Sequence, residues 1–326
     1  MDIKRIGIIR FSSIGDIILT VPTIHALGEL YPNAEITLIT KESFGELLTS
    51  MDELKGQLLL KKGESLGSIR GRVKEAKFDL IVDLHDNIRS HFITFFVGAR
   101  VLRYSKNRLG RFLVKQFKLK KEVTPVWRRY LDTVAPDLLN PIFSYPIKAQ
   151  GRVERLLPKE RFLLIAPGST WATKEWPLAH HKEFATLLSD NTDFPVILIG
   201  GDKDREVETL YKRSLGERFR GFAGELTIAE SAYVVSRAEV LFTVDTGMMH
   251  IGSSLNKKMV VLFGSTVREF GFYPTTSNAE VVEVKLRCRP CSNTGLKACP
   301  KKHRNCMVMI TPSQVLTKIT EKMGNL

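Results

Sequence analysis

The sequence contains few cysteines and no long apolar run. Its four cysteines all fall between Cys288 and Cys306, which does not fit a secreted scaffold built on disulfides. The chain opens with Met1-Asp2-Ile3-Lys4-Arg5 and passes directly into a short strand-like run, without the apolar core of a signal peptide. No later segment is apolar enough to span a bilayer. We therefore expect a cytoplasmic protein.

Two nucleotide-binding fingerprints are also missing. Neither G-x-G-x-x-G nor G-x-x-x-x-G-K-[ST] occurs in the chain, which disfavours nicotinamide enzymes and P-loop ATPases. There is no RNA-binding aromatic motif and no recognised DNA-binding module. A basic nucleic-acid-binding protein therefore stays an alternative that rests on charge alone.

Acidic residues are scarce. The chain has 49 Lys and Arg against 35 Asp and Glu, a formal net charge of +14, which indicates an anionic partner such as nucleic acid, a membrane surface or a phosphorylated substrate. From Arg100 to Lys121 basic residues alternate with apolar ones and no acidic residue occurs. Such a run is usually a solvated helix face, but here we favour a surface for anions or anionic lipid.

What is present is a repeated alternation of apolar runs and helical patterns, typical of an α/β protein with parallel sheets. The 326 residues suffice for two domains. Prolines punctuate the polar segment from Ala135 to about Leu157, which predicts a linker. We therefore predict doubly wound Rossmann-like domains at residues 1–150 and 151–326, with their loops facing across a cleft. The predicted strands include 5–10, 34–39, 79–84, 161–166, 196–201, 238–243 and 259–266.

A buried strand turns into a helix at Asp245-Thr246-Gly247, in the stretch from Val244 to Leu255. Backbone N–H groups at such a helix start suit phosphate, and His250 would lie about one turn beyond Thr246. The alternative is a plain N-cap at Asp245 or Thr246 without any ligand.

Two further loops follow predicted strands. Pro167 to Pro177 contains Ser169, Thr170 and Lys174, the side-chain types from which a diphosphate site is built, although Lys174 alone would suit a surface. Asp16 follows the first strand, where it is either a catalytic group or a first-turn acid that balances the helix dipole.

Two patterns suggest metals. Asp202-Lys203-Asp204 suits either a divalent ion or, as we favour, a helix N-terminus. The spacing C-x2-C-x7-C-x6-C suits a structural zinc or iron–sulfur site, but reduced thiols or a disulfide pair fit equally. The four cysteines are Cys288, Cys291, Cys299 and Cys306.

Together these motifs resemble glycosyltransferase family 9, the ADP-heptose:lipopolysaccharide heptosyltransferases. The resemblance rests on Ile-Ile-Arg-Phe-Ser-Ser-Ile-Gly-Asp, Pro-Gly-Ser-Thr-x3-Lys-x-Trp-Pro, Asp-Thr-Gly-x2-His, Leu-Phe-Gly-Ser-Thr and the late cysteines, all in order. It implies a GT-B architecture, with an amino-terminal domain for the acceptor and a carboxyl-terminal domain for the nucleotide sugar. A last helix after Ile310 would return to the first domain.

The resemblance also implies residue roles, without a cofactor for catalysis. Asp16 matches the catalytic base and Lys174 the charge-stabilising cation. The residues assigned to the donor are Ser169, Thr170, Lys174, Glu206 at the ribose, Leu226 beside adenine, Asp245, Thr246, Gly247 and His250. To the acceptor we assign Ser13 and four residues of the basic stretch, Arg103, Lys106, Arg108 and Arg111.

The activity expected is inverting transfer of heptose from ADP-heptose to the lipopolysaccharide inner core, by an enzyme peripheral to the cytoplasmic face of the inner membrane. One alternative is a related transferase that uses another nucleotide sugar or envelope glycan. A nucleotide-sugar epimerase of the same architecture is another.

Overall fold

The computed structural model of the chain describes residues 3–118 and 124–324. Lys120 and Lys121, at the end of the basic stretch, lie outside these residues. The strands are β1 Arg5–Ile9, β2 Glu35–Lys41, β3 Leu54–Leu60, β4 Leu80–Asp83, β5 Arg100–Arg103, β6 Leu163–Ala166, β7 Val196–Gly200, β8 Phe219–Ala223, β9 Val240–Val244, β10 Lys258–Phe263 and β11 Ala279–Glu283. The helices are α1 Ile14–Ile18, α2 Val21–Leu30, α3 Leu66–Glu75, α4 Ile88–Thr94, α5 Arg108–Phe117, α6 Val126–Leu131, α7 Gly151–Glu154, α8 Leu178–Asn191, α9 Arg205–Leu215, α10 Ile228–Arg237, α11 Gly247–Ser254, α12 Asn305–Val308 and α13 Pro312–Met323.

The chain divides into two compact units. The first comprises Met1–Asn107 and Thr124–Pro146, and the second comprises Arg108–Val123 and Ile147–Leu326. Helix α5 therefore groups with the second unit, although its residues fall within the range predicted for the first domain. It does so because Val114 is buried against Phe270.

The first unit contains a parallel sheet with the strand order β3-β2-β1-β4-β5. Buried apolar residues pair along it, for example Ile8 with Leu38 on β2 and with Val82 on β4. The chain builds outward from β1 through β2 and β3, then returns to the other side of β1 with β4. The loops after β1 and β4 therefore leave the sheet at the point where the strand order reverses, the usual place for a binding site.

The second unit repeats this plan with the order β11-β10-β9-β6-β7-β8. Its order reverses between β6 and β9, whose pairing includes Leu164 with Leu241. Because the strands are parallel, the loops after β6, β7, β9 and β10 all leave at the carboxyl edge. The residues that the sequence assigns to the donor follow β6, β7, β8 and β9.

Two local features differ from the sequence-based expectation. The predicted first helix is two helices, α1 and α2, because Pro22 has no N–H to continue a helix and instead lies in the first turn of α2. The basic stretch begins with a short strand, β5, before helix α5.

The last helix packs on the core of the second unit. Val315, Ile319 and Met323 form one apolar stripe on α13 and are buried with residues of the second sheet. This stripe is thus used within the second unit, and the return of the last helix to the first domain stays a prediction. Within residues 3–118 and 124–324, no helix combines the length and apolar character that crossing a bilayer requires.

Candidate active site

A buried ion pair lies at the point of strand reversal in the second unit. The Lys174 Nζ atom is 2.7 Å from Asp245 Oδ2, and the two side chains are only 11% and 6% exposed. The hydroxyl of Thr266, which follows β10, donates to the same Asp245 oxygen at 2.6 Å. The loops after β6, β9 and β10 therefore meet at one carboxylate, which fixes Lys174 in place.

The start of α11 is left without a side-chain cap. Thr246 is the N-cap residue in extended conformation, and its side chain makes no capping hydrogen bond. The Asp245 carboxylate is occupied by Lys174 and Thr266. Thr246 is thus the N-cap residue by position, but neither its side chain nor that of Asp245 caps the helix. The first N–H groups of α11, beginning at Gly247, have no intrahelical partner, which suits an anion.

The Gly-Ser-Thr loop lies beside this pair. Ser169 is buried and its hydroxyl accepts the N–H of Trp171 at 3.2 Å, whereas Thr170 is exposed. Gly168 is needed because a side chain there would collide with the carboxylate of Asp204, 2.4 Å from the position of a Cβ. This close approach holds the loop against the residues that follow β7.

The Asp202-Lys203-Asp204 motif does not gather two carboxylates. Asp204 is buried and accepts the N–H of Gly201 at 2.8 Å, and burial raises its pKa. Asp202 is exposed and pairs with Arg205 at 3.0 Å. The favoured interpretation as a helix N-terminus agrees with these contacts.

Two assigned donor residues lie further along this edge. Glu206 is exposed on α9, and Leu226 is half-buried in the turn between β8 and α10. The acidic side chain of α9 that reaches the carboxyl end of β8 is Glu208, whose Oε2 atom accepts the N–H of Ala223 at 2.7 Å. The assignments of Glu206 and Leu226 stay predictions.

His250 and Arg111 approach the same aromatic ring. His250 is buried on α11, with its ring centroid 6.4 Å from that of Phe272. The guanidinium of Arg111, on α5, lies over Phe272 at 5.2 Å from the ring centroid. Arg111, assigned to the acceptor from the sequence, therefore lies in the second unit near the start of α11.

In the first unit, Asp16 is held by three residues. Its Oδ2 atom accepts the Ser13 hydroxyl at 2.9 Å and the Ser13 N–H at 3.1 Å, and its Oδ1 atom pairs with Arg10 at 2.8 Å. The Tyr130 hydroxyl donates to Oδ1 at 3.4 Å. The side chain keeps 16% of its surface exposed. Asp16 thus completes the first turn of α1 while its carboxylate stays partly accessible.

Arg10 links this carboxylate to the loop after β4. It is buried, and its second terminal nitrogen donates to the carbonyl of Leu84 at 2.6 Å. Burial alone would lower the pKa of Arg10, but the Asp16 carboxylate raises it above the ordinary value. Burial, and then the positive charges of Arg10 and Lys106, lower the pKa of His85 to about 4, so His85 is neutral at pH 7.

The other residues assigned to the acceptor fall into two groups. Arg103 pairs with the buried Asp83 at 3.5 Å and donates to Thr94, while Lys106 donates to the carbonyl of Asp86. These two lie in the first unit with Ser13. Arg108 begins α5 in the second unit.

Comparison with known proteins decides the family. The sequence profile of glycosyltransferase family 9 (heptosyltransferase) matches residues 66–301, well over half of the chain. The chain belongs to glycosyltransferase family 9. It is therefore a glycosyltransferase.

Individual relatives of this family 9 chain are distant but cover nearly its full length. Lipooligosaccharide heptosyltransferase 2 of Haemophilus influenzae is 23% identical over 98% of this chain and 99% of its own. The structure of the ADP-heptose LPS heptosyltransferase II of E. coli aligns with a TM-score of 0.76 at 22% identity, over 98% of each chain. A family 9 structure from Veillonella parvula gives 0.80 at 19% identity, over 99% and 98%. The predicted α/β fold class, GT-B with two Rossmann-like units, is confirmed.

The four cysteines of the family 9 chain, for which the spacing suggested a metal site, are free thiols in this structure. The Cys291 thiol donates to the carbonyl of Cys288 at 3.3 Å. Burial, and then the neighbouring thiols, raise the pKa of Cys291 to about 11. Among the residues described, no three or more His, Cys, Asp or Glu side chains are placed to hold a metal ion. Cys288, Cys291, Cys299 and Cys306 are free thiols in this structure, and their assignment to a structural metal stays a prediction.

Sequence reasoning did not single out several residues that shape both sites of the family 9 chain. Arg10 is the first residue after β1 and Thr266 the third after β10, and a polar residue just after a buried strand is a signal that was available. Tyr130 and Glu208 reach their sites from distant helices, so no local pattern marks them.

Proposed function

We propose that this family 9 chain is an inverting glycosyltransferase that moves heptose from ADP-heptose to the inner core of lipopolysaccharide. The buried Lys174–Asp245 pair beside the uncapped start of α11 carries the proposal. The sugar and the class of acceptor are suggested by the names of the relatives. We further propose that the enzyme works at the cytoplasmic face of the inner membrane, where such an acceptor would be held.

In the proposed donor site, the diphosphate accepts hydrogen bonds from the first N–H groups of α11 and from the exposed hydroxyl of Thr170. Lys174 supplies a positive charge whose position Asp245 and Thr266 fix. Such preorganised donors stabilise charge that develops on a leaving group. His250 lies one turn into the same helix, on the side of the sugar. Glu206 and Leu226 are assigned to ribose and adenine.

The transfer itself needs a base and a leaving group. In the proposed mechanism the acceptor hydroxyl attacks C1 of the heptose from the face opposite the diphosphate, and its proton passes to Asp16. The bond between C1 and the diphosphate oxygen breaks with both electrons going to that oxygen, and ADP leaves. Attack from the opposite face inverts the configuration at C1. Ser13 and Arg10 hold the Asp16 carboxylate in one orientation, which favours proton transfer.

Acceptor binding is proposed for the basic side chains. Ser13, Arg103 and Lys106 lie at the carboxyl edge of the first sheet, and Arg108 and Arg111 are carried by α5. Phosphate groups on a lipopolysaccharide acceptor would pair with such cations. Arg103 already neutralises the buried Asp83, so it would contribute only part of its hydrogen-bonding capacity.

Lys174 is proposed to neutralise the leaving group where many transferases use a divalent ion. The contacts of Asp202 and Asp204 support this, because one carboxylate pairs with Arg205 and the other is buried against Gly201. Activity is therefore expected to persist in EDTA.

The test is an assay of ADP release and of acceptor mass, with ADP-heptose and heptose-deficient lipopolysaccharide. Asp16→Asn should lower kcat by about 10²- to 10⁴-fold. Its affinity for ADP, measured by calorimetry, should not change, because the donor residues belong to the second unit. Full turnover by a folded Asp16→Asn enzyme would refute the assignment of the base. Tighter binding of UDP than of ADP would refute the donor, and conversion of the donor without acceptor would indicate an epimerase.

A further inference from the structure

Helix α4 and the turn after it carry an exposed apolar surface in the first unit. This α4 patch consists of Ile88, Phe92, Phe95 and Phe96, of which Ile88 is 89% and Phe96 79% exposed. Single exposed apolar side chains are common, but four within nine consecutive residues form a contiguous patch that indicates an interaction surface. The opposite face of α4 is buried through Ser90, Ile93 and Thr94.

The backbone at Phe96 is in a conformation that does not favour folding. Its φ is +49°, in the left-handed region, where a bulky side chain is strained and Gly or Asn is preferred. Because the ring is exposed, burial of its apolar surface offsets little of this strain energy. Strain at a residue that contributes little to the core suggests a role outside folding. Phe95 packs edge-on against Phe96, with centroids 4.3 Å apart, and so holds the ring outward.

Two arginines lie at the patch. The guanidinium of Arg70 donates to the carbonyl of Phe95 at 2.8 Å and lies over the ring of Phe92, 5.4 Å from its centroid. Arg89 is exposed on α4 itself. The preceding acid in the sequence, Asp86, pairs with His91 at 2.7 Å, and the sequence contains no Asp or Glu from there to Glu122.

We propose that the α4 patch docks the first unit on an anionic lipid bilayer, with the aromatic rings in the interfacial region and Arg70 and Arg89 at the headgroups. A stable protein interface needs about 800 Å² and roughly 20–30 residues on each partner, far more than this patch offers. Reversible membrane binding needs only a few inserted apolar groups together with nearby cations. The combination of exposed aromatics and arginines, in a segment without acids between Asp86 and Glu122, therefore fits lipid better than protein.

This inference rests on the proposed function for its setting, since a membrane-held acceptor requires the enzyme at the bilayer. The test is independent of catalysis. The full chain is floated with vesicles of phosphatidylglycerol and phosphatidylethanolamine, or of phosphatidylcholine alone, without donor or acceptor. We expect binding to the anionic vesicles that weakens as salt increases, and at least tenfold weaker binding to phosphatidylcholine.

The decisive variant is Ile88→Ser/Phe96→Asn. Asn suits a left-handed φ, so the melting temperature should equal or exceed that of the unchanged chain, while vesicle affinity falls by about tenfold or more. Leu139→Ser is the matched control, because Leu139 is 82% exposed in the same unit but outside the patch. Its affinity for vesicles should not change.

Three results would overturn the inference: no binding of the unchanged chain to anionic vesicles, full binding by the double variant, or an equal loss in Leu139→Ser. Transfer to a short, detergent-soluble acceptor should be the same in the double variant as in the unchanged chain. A chain that floats with vesicles but transfers no heptose would refute the proposed function and leave the docking surface standing.

Discussion

Lys174 and Asp245 are each costly to bury alone, and each is tolerable because of the other. The two charged atoms are 2.7 Å apart, and Thr266 satisfies the same carboxylate oxygen. Removing one partner of such a pair leaves an uncompensated buried charge, whereas replacing both by apolar groups is often neutral. Stability and ligand binding can therefore be separated at this pair.

Lys174→Met is expected to destabilise the second unit by about 3–5 kcal/mol, because Asp245 is left unpaired. Lys174→Met/Asp245→Leu should recover most of that loss. Both variants should bind ADP at least tenfold more weakly, since each lacks the cation. Chemical unfolding and calorimetry with ADP measure the two effects. Unchanged ADP affinity in the double variant would show that Lys174 is structural only.

Gly264 precedes the residues that complete this site. A Cβ there would lie 2.8 Å from the carbonyl oxygen of Thr173 and 2.6 Å from the sulfur of Met307. The sulfur can move, but the backbone oxygen belongs to the loop that carries Lys174. Gly264→Ala should therefore cost about 1–3 kcal/mol and weaken ADP binding.

Gly71→Ala is the control for that substitution. Nothing lies within 4 Å of a Cβ at Gly71, which is in the interior of α3, so Ala should be neutral or stabilising by about 0.5–1 kcal/mol. Equal melting temperatures for Gly264→Ala and the unchanged chain would contradict the argument.

The types of residue in the loops predicted the location of the proposed donor site, but they did not predict which side chains pair within it. The sequence places Lys174 and Asp245 in loops at the same sheet edge, and the structure shows them in contact. Lys174 and Thr266 share the Asp245 carboxylate because the strands lie in the order β10-β9-β6, and no local pattern in the sequence specifies that order. For the same reason Arg111, next to Arg108 in a basic run, could not be placed beside Phe272 from the sequence.

Among the elements, α8 carries a titratable group into the core. His181 is buried on α8, and its Nδ1 atom is 3.0 Å from the Tyr211 hydroxyl. Burial, and then the charge of His180, lower the pKa of His181 to about 3. Unfolded chains protonate histidine near pH ~6.5, so the folded state binds fewer protons between these values. The contribution of neutral His181 to the free energy of unfolding is fully present above about pH 6.5 and is lost as the pH falls towards 3.

His181→Asn should weaken this acid sensitivity. At about pH 4.5 the depressed pKa of His181 lowers the stability of the folded state by roughly 3 kcal/mol, and Asn, which does not titrate, removes this loss. At neutral pH the variant should be less stable by about 1 kcal/mol, because its contact with Tyr211 is altered. Melting temperatures at both pH values measure the difference. His303→Asn, at an exposed position, serves as control, and an equally steep acid loss in His181→Asn would refute the assignment.

Strands with continuous apolar runs were predictable, and strands with mixed composition were not. β1, β4, β6 and β9 are fully or almost fully buried, and periodicity located all four. The edge strands β3, β5, β8 and β11 mix Gly, Arg or Glu with apolar residues, and each has a neighbouring strand on only one side. Short edge strands of this kind are weakly marked in sequence.

At the scale of the whole molecule, each unit has its own apolar core and its own set of site residues. All residues assigned to the donor belong to the second unit. ADP should therefore protect backbone amides of residues 166–176 and 244–254 from hydrogen exchange more than those of residues 5–30. At ADP concentrations about 100 times Kd the stabilisation is about 2.7 kcal/mol. Greater protection around Asp16 than around Asp245 would place the nucleotide in the first unit.

The membership of α5 in the second unit affects how the enzyme can be divided for study. A fragment ending near residue 150 would carry α5 away from Phe270 and leave Val114 in water, so poor yield of that half would say nothing about its sheet. The second half would in turn lack a segment of its own core. To obtain two halves that fold independently, residues 108–123 would have to be moved from the first half to the second. A short flexible linker would then close the gap in the first half and attach the segment to the second.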